Sequence, residues 1–485
     1  MNFIMSTAGQ RRSWSLYHDF LEAFESLTYN GIPLALFVHF SHYFRMKPLE
    51  EKLNDPNIDK ILKNKVVHPK EIQSKIDRIM KQVATNSNNK TSNGKILLYD
   101  EVNLRFREKN YVEFYNSSTT TILRENSTSE NYLGIPIHSL EEYKSNVTPL
   151  IKSTLEKANK ILISYNRHPV FGMTQFQKRF QNDLHNILER LVAVNNFFEK
   201  VPISCVIVGG SADYIQRMLI VIAAANEIPS IYIQHGMISA SRGFLPVFAT
   251  IQGVYGQYEK VFYVRAGVSK DRIKIIGHPS FDTIFTDPPM SKSVFIEKLK
   301  ILSNKKIVLI PTQPTMPIDS LKRLIKHLLR FEYIEIILKL HPNELKQHFT
   351  IEKYRRLSKQ YRAVKIVLDE FSLYDTIANA DVVCVYYSTT GIESMLFGKP
   401  VVYFAKNPFD GAPYDYCDQL VEPNPYKLGN LIVRLVNNKQ FKQLAEIKRK
   451  EFIAKAYPNA DELSGKRLSD LIYEITGIRS YQKND

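Results

Sequence analysis

Four short segments of the 485-residue chain set reactive side chains beside turn residues. Gln234-His235-Gly236 follows the apolar run SIYI. A glycine there lets backbone approach a ligand, and a histidine titrates near neutrality, so His235 suits a general base or a donor to phosphate. In KLHP, Lys339 and His341 alternate along one strand and therefore share a side of the sheet, and Pro342 ends the strand. Two such groups suit a diphosphate. Ser388-Thr389-Thr390-Gly391-Ile392-Glu393 gathers three hydroxyls where a strand gives way to a helix, a place where backbone N–H groups and the macrodipole attract phosphate. Gly277-His278-Pro279, with Asp282 close behind, ends another apolar run. Each segment also has a purely structural explanation. His235 and His278 can serve as turn formers, Lys339 and His341 as a solvated edge, and Thr390 with Glu393 has the spacing of a capping box.

Neither GxxxxGK[ST] nor GxGxxG occurs, which argues against a P-loop nucleotidase and an ordinary dinucleotide dehydrogenase. Gly209 to Asp213 (GGSAD) is a glycine-bearing turn that would permit close approach of an acceptor or phosphate. No DxD demands a divalent metal, so no metal ligands are expected. Cys205, Cys384 and Cys417 have no CxxC spacing; the first two lie in apolar runs, as buried inert thiols in a reducing cytosol would.

The elements that must position these groups follow from periodicity. Residues 1–94 read as a helical N-terminal extension ending in the polar linker Thr85 to Gly94. Residues 95–285 read as a first α/β domain, with strands at Lys95–Glu101, Lys160–Asn166, SCVIVGG, PSIYIQHG and RIKIIGHP and a long helix over Gln175–Lys200. After the proline-containing break Phe285–Ser293, residues 286–485 read as a second α/β domain with terminal helices. Its strands are KKIVLIPTQ, EIILKLHP, VKIVLD, DVVCVYYS and PVVYFA. Short apolar runs separated by helices indicate parallel sheets, so the fold class is α/β, doubly wound twice. Two such domains in tandem are expected to face each other across a ligand-binding cleft.

Basic side chains number 65 against 49 acidic ones, a net charge of +16, which invites an anionic partner: nucleic acid, an anionic bilayer or a phosphorylated substrate. The basic residues are spread along the chain and no RNA-binding aromatic motif is visible, so nucleic acid is the weakest of these. The longest apolar stretch, Gly31 to Phe44, is too short to span ~30 Å of hydrocarbon and reads as part of a buried helix or a shallow interfacial element.

KLHPNE followed by ADVVCVYYSTTGIESMLFGKPVVYF, with IPSIYIQHG and KIIGHPSFD upstream, resembles the bacterial cell-surface polysaccharide transferases of the GT-B fold. The likeness is to the CDP-glycerol glycerophosphotransferase-like and the spore-coat or capsular polysaccharide biosynthesis proteins, and covers about Ser204 to Phe404. It implies transfer of a sugar or polyol phosphate from a nucleotide-sugar or CDP-polyol donor, without a cofactor, to a polysaccharide or lipid-linked acceptor. His341, Lys339, Ser388, Thr389 and Thr390 would stabilise the leaving phosphate, and Glu393 would accept from the ribose. His235 would be the base, Arg242 would hold an anionic acceptor group, and Gly236, His278 and Asp282 would line the acceptor side. Glycerophosphotransferases carry an HGTP-type motif where this chain has His235-Gly236-Met237-Ile238, which favours a sugar donor. The resemblance further implies a cytoplasmic protein free to make peripheral contact with the anionic inner face of the membrane. A nucleotide-sugar 2-epimerase, built on the same two-domain plan, is the alternative enzyme.

Overall fold

The computed structural model describes residue 5 and residues 7–85, 94–101, 103–211, 213–238, 243–406, 414–416, 418–458 and 463–481. The chain divides into two compact units. The first comprises Met1–Tyr255, Glu259–Ser280 and Leu463–Asp485; the second comprises Gly256–Tyr258 and Phe281–Glu462.

In the first unit a small hairpin, β1 (Thr28–Tyr29) and β2 (Ile32–Pro33), precedes the main sheet. That sheet contains β3 (Lys95–Tyr99), β4 (Thr120–Arg124), β5 (Asn131–Tyr132), β6 (Ile135–Ser139), β7 (Ile203–Val208), β8 (Ser230–Ile233), β9 (Ile251–Val254) and β10 (Ile273–Ile275). Their spatial order is β10-β9-β8-β7-β3-β4-β6-β5, parallel except for the edge pair β5–β6. The chain runs outward from β3 through β4 and β6, then returns to lay β7 on the other side of β3, with Leu97 opposite both Thr121 and Val206. The direction of winding therefore reverses between β3 and β7, the place where open α/β sheets bind ligands. Ile96, Leu97 and Leu98 are fully buried, as strands covered on both faces must be.

Three features of this unit differ from the sequence expectations. Lys160–Asn166 is not a strand: Ile161 to Ser164 complete the helix Thr148–Ser164, whose buried positions Ile151, Thr154, Ala158 and Leu162 keep helical spacing while Ile163 is exposed. The sheet is wider than expected, because β4, β6 and β9 carry Thr, His or Gln among their apolar residues. Third, the helix Ser464–Thr476 belongs with the first unit rather than with the second. Gly465 packs so tightly on Phe114 that a Cβ there would lie 2.3 Å from its ring, and Arg467 Nε donates to the Ile276 carbonyl at 3.0 Å.

The N-terminal helices are built into the same unit. The helix Ala8–Ala23 opens on a capping box of Thr7 and Gln10, and its Phe20 and the C-cap residue Phe24 are buried against Phe180, at centroid distances of 5.4 and 4.5 Å. Gln73, on the helix Pro69–Thr85, exchanges two hydrogen bonds with the Val247 backbone. The stretch Gly31–Phe44 is not one helix but a 3-10 turn, Leu34–Phe37, and a short helical turn, Phe40–Tyr43. Leu34, Leu36, Phe37 and Tyr43 are wholly buried within the unit. Among the described residues no helix is long and apolar enough to cross a membrane.

The second unit carries β11 (Lys306–Pro311), β12 (Ile334–Lys339), β13 (Val364–Val367), β14 (Val382–Val385) and β15 (Val401–Tyr403). Their order is β13-β12-β11-β14-β15, all parallel. All five strands were expected from sequence. The winding reverses between β11 and β14, giving this sheet a switch point of its own.

Candidate functional site

In the second unit the loops leaving β11, β12 and β14 carry the candidate side chains. Gln313 Nε2 donates to the Tyr387 carbonyl and so ties the two loops that flank the switch point. His341 follows β12 and caps the short helix Pro342–Leu345: its Nδ1 accepts the Asn343 N–H at 3.0 Å, and its own N–H donates to Glu344 Oε2 at 3.1 Å. Because the Nδ1 lone pair is occupied, the proton of the neutral ring lies on Nε2, which makes that nitrogen a hydrogen-bond donor. Glu344 is 2% exposed and also accepts from the hydroxyls of Thr312 and Tyr354, the latter at 3.2 Å. It anchors the backbone of His341 to the end of β11. Glu344, Thr312 and Gln313 were not singled out from sequence. Only Glu344 had a signal, its capping-box spacing from His341.

Lys339 does not share the arrangement expected for a diphosphate. Its Nζ donates to the carbonyls of Leu368 and, at 2.9 Å, Phe371, holding the loop after β13. Burial lowers the pKa of this ammonium, while Asp369 and Glu370 oppose the shift.

At the β14 end, Ser388 Oγ donates to Thr390 Oγ1 at 2.9 Å and accepts the Thr390 N–H at 3.2 Å. Thr390 is the first residue of the helix Thr390–Leu396, and Thr389 precedes it without a side-chain cap. The capping box of Thr390 and Glu393 is therefore not formed. Glu393 is buried. Gly391 is required by packing, because a Cβ there would lie 2.2 Å from Tyr403 Oη, and Gly398 ends the helix at φ +73°.

In the first unit His235 lies beyond the end of β8. Its Nδ1 is 3.2 Å from Tyr232 Oη, its ring stacks on Phe244 at 5.3 Å, and its carbonyl accepts from Arg105 Nη1 at 3.2 Å. Burial, reinforced by the Arg105 charge, lowers its pKa to about 4 against the opposing Gly209 carbonyl, so the ring is neutral near pH 7. Tyr232 is hydrogen-bonded in turn to Tyr263, which accepts from Gln252 Nε2 at 3.0 Å. The Gly236 carbonyl accepts from Gln234 Nε2 at 2.7 Å.

His278 is 1% exposed, with Nδ1 bonded to the Ser280 hydroxyl at 2.7 Å and backbone N–H at 3.2 Å. Burial, Arg105 and His235 lower its pKa to about 3. It acts as a turn former beneath His235, not as an exposed binding group. The glycines of GGSAD also have a packing role: a Cβ on Gly209 would lie 2.2 Å from the Asn103 backbone, where the loops leaving β3 and β7 cross. Arg105, in the loop after β3 at φ +56°, was missed because nothing in its sequence neighbourhood marks it.

Asp282 is buried and lies in the second compact unit, before the helical turn Thr283–Thr286. Arg242 and Cys417 lie outside the described residues. Cys205 and Cys384 are buried, and burial pushes both thiols up to about 12.

Residues 319–416 match the model of the capsule polysaccharide biosynthesis protein family. No curated protein matches the chain. Among solved structures, UDP-GlcNAc 2-epimerase from Neisseria meningitidis, bound to UDP-GlcNAc, is similar at a TM-score of 0.50 and 12% identity, over 78% of this chain and 100% of that one. HepE from Anabaena in complex with UDP-glucose is similar at 0.47 and 13%, over 78% and 100%. The wall teichoic acid polymerase TagF is similar at 0.47 and 14%, over 90% and 98%. With two doubly wound parallel sheets in tandem, the chain has a GT-B-like α/β fold.

Proposed function

We propose that the chain is a glycosyltransferase of cell-surface polysaccharide synthesis that takes its sugar from a nucleotide-activated donor held by the second unit. The observation that carries this is an overlap. The segment matching the capsule family, 319–416, contains both His341 with its Glu344 anchor and Ser388 to Glu393.

In this mechanism the bond between the anomeric carbon and the donor phosphate breaks with its electron pair on the phosphate. The acceptor hydroxyl forms the new bond and gives up its proton. His341 Nε2–H and the Thr389 hydroxyl donate to the phosphate as charge develops, with Ser388 and Thr390 shaping the loop around it. Glu393 accepts from the ribose, and Lys339 fixes the neighbouring loop. His235, neutral near pH 7, takes the acceptor proton, and the Gly209 carbonyl stabilises the imidazolium. Gly236 and Arg242 serve the acceptor. The work is done on the cytoplasmic side, where a net charge of +16 favours an anionic bilayer carrying a lipid-linked acceptor.

The test is a melting-temperature panel on the full chain with UDP, CDP, GDP, CMP, their sugars and CDP-glycerol. A cognate nucleotide at ~100 times its dissociation constant adds about 2.7 kcal/mol of stability. The expected result is stabilisation by one nucleotide and its sugar, followed by transfer to an acceptor. Stabilisation by none of them overturns the proposal. Acceptor-free conversion of a UDP-sugar establishes an epimerase instead, and turnover of CDP-glycerol establishes phosphoglycerol transfer.

A further inference from the structure

One face of the second unit gathers positive charge that the protein does not neutralise. The helices Ile318–Leu328 and His348–Gln360 connect β11 to β12 and β12 to β13, two parallel crossovers that step the same way across the sheet. Right-handed connections therefore put both helices on one face. The helix Pro425–Asn437 packs beside the first of them. A Cβ on Gly429 would lie 2.3 Å from the His327 ring, and His327 Nε2 is 2.8 Å from Asn430 Oδ1.

The three helices hold nine lysines and arginines against two acidic residues, Asp319 and Glu352. Both acids are already engaged, Asp319 with Lys322 at 3.6 Å and Glu352 with Arg355 at 2.8 Å. Lys359 also acts on Glu352, beyond ion-pair distance. Lys326, Lys353, Arg356, Lys359 and Lys427 form no ion pair among the described residues, and all but the half-buried Lys353 are exposed.

The other face of the same sheet differs. The helix Thr390–Leu396 connects β14 to β15, stepping the opposite way and so lying on the opposite face. The helix Lys439–Ala456 packs on it, with Arg449 donating to the Met395 carbonyl. This helix is as rich in lysine, yet most of its charge is paired. Arg449 and Lys450 meet Glu446 at 2.6 and 3.7 Å, Lys448 meets Glu451 at 2.7 Å, and Lys455 meets Asp415 at 2.7 Å. Lysine content alone therefore does not distinguish the two faces; unpaired charge does.

The unpaired face also projects aromatic rings. At 79% exposed, Phe349 is the most exposed large apolar side chain among the described residues. Lys353 and Arg356 follow it at i+4 and i+7 and share its stripe of the helix. Tyr426, 51% exposed, stands edge-on to His327 with ring centroids 5.8 Å apart, where the first and third helices meet. Cations around a projecting ring are the composition of a helix that lies in a headgroup layer: the cations meet anionic headgroups and the ring enters the acyl boundary.

We infer that this three-helix face docks the second unit on an anionic phospholipid surface. The helix His348–Gln360 starts at the carboxyl edge of β12, close behind His341, so docking holds the donor loops beside the bilayer. The inference rests on the transferase reading only for the acceptor's residence in that membrane.

The experiment sediments the full chain with vesicles of phosphatidylcholine alone and of phosphatidylcholine mixed with phosphatidylglycerol. Binding to the mixed vesicles only is expected, weakened but not abolished by high salt, since salt screens the cations and not the ring. One basic residue near an anionic surface strengthens binding about fivefold, so Lys353→Glu combined with Arg356→Glu should weaken it at least about twentyfold. Lys326→Glu combined with Lys427→Glu, on the other two helices, should do the same, and serves if the first pair does not fold. Phe349→Ala should weaken binding about tenfold without changing its salt dependence. Lys439→Glu combined with Lys442→Glu, on the opposite face, should bind as the unaltered chain does. No binding to mixed vesicles, an equal loss in the opposite-face variant, or binding of an oligonucleotide in place of vesicles overturns the inference. Stabilisation by nucleotide is read separately. Nucleotide stabilisation without vesicle binding overturns the docking face and keeps the transferase reading; vesicle binding without nucleotide stabilisation supports the face and overturns that reading.

Discussion

Around His341 the ring and its backbone are fixed by residues two and three positions away, whereas around His235 the contacts come from Arg105, Gly209 and Phe244 as well as from nearby Tyr232. The second unit sets its histidine locally, with a capping box that leaves Nε2–H as donor. The first sets its histidine by burial among distant loops, which lowers the pKa and keeps the ring neutral. A donor to developing charge needs a fixed proton; a base needs an unprotonated ring. The two environments match the two proposed roles.

The comparison breaks first at the histidines themselves. His341→Asn keeps a side-chain acceptor for the Asn343 N–H but has no imidazole Nε2–H. Turnover should fall about 10³-fold while stability changes by less than about 1 kcal/mol. Near-normal kcat would remove His341 from the chemistry. His235→Ala should abolish transfer and leave nucleotide affinity intact; loss of both would show that its role is not that of a base.

Glu344 tests whether the local arrangement depends on its anchor. Glu344→Ala leaves the Tyr354 hydroxyl and the His341 N–H without their acceptor and the Thr312 hydroxyl with only the Lys339 carbonyl at 3.3 Å, and should cost about 3 kcal/mol in denaturant unfolding. A loss below about 1 kcal/mol would mean that water replaces the carboxylate without penalty.

The same contrast explains what could be read from sequence. Lys306–Pro311, Ile334–Lys339 and Val382–Val385 are continuous apolar runs ending at turn residues, so the second sheet and the His341 and Ser388 loops were legible. Strands β4 and β6 were not, because Thr120, Thr121 and His138 interrupt the apolar pattern. Arg105 was illegible for a different reason. Its place beside His235 depends on β3 and β8 belonging to one sheet, a contact across 130 positions that no local spacing encodes. Lys339 was placed on the correct strand, but its bonds to the Leu368 and Phe371 carbonyls were not foreseen, since alternation along a strand cannot tell a ligand phosphate from the carbonyls of the next loop.

Glycines sharpen the comparison at a smaller scale. Gly209→Ala would set a Cβ 2.2 Å from the Asn103 backbone, and Gly391→Ala would set one 2.2 Å from Tyr403 Oη. Each should cost about 2 kcal/mol. Only the second clash is with a side-chain atom that can be deleted, so Tyr403→Phe should recover part of the loss in Gly391→Ala. Equal losses in the single and double variants would place the strain in the backbone there too.

The smallest effect per pH unit, for a single group, is titration. His278 has a folded pKa of about 3 against an unfolded value near 6.5, so between those values the unfolded chain binds the extra proton. Stability is then fully present above about pH 6.5 and is lost on acidification, at up to about 1.4 kcal/mol per pH unit for one histidine. His235, with a folded pKa of about 4, adds the same slope over the narrower window from about 6.5 to 4. Both lie in the first unit, where Trp14 reports unfolding. Urea midpoints from Trp14 emission should therefore fall steadily between pH 6.5 and 4. His278→Asn, which keeps an acceptor for the Ser280 N–H, should flatten that fall by one proton's worth. An unchanged slope in this variant would mean that the buried ring is already protonated in the folded state, and the electrostatic half of the comparison between the two units would fail.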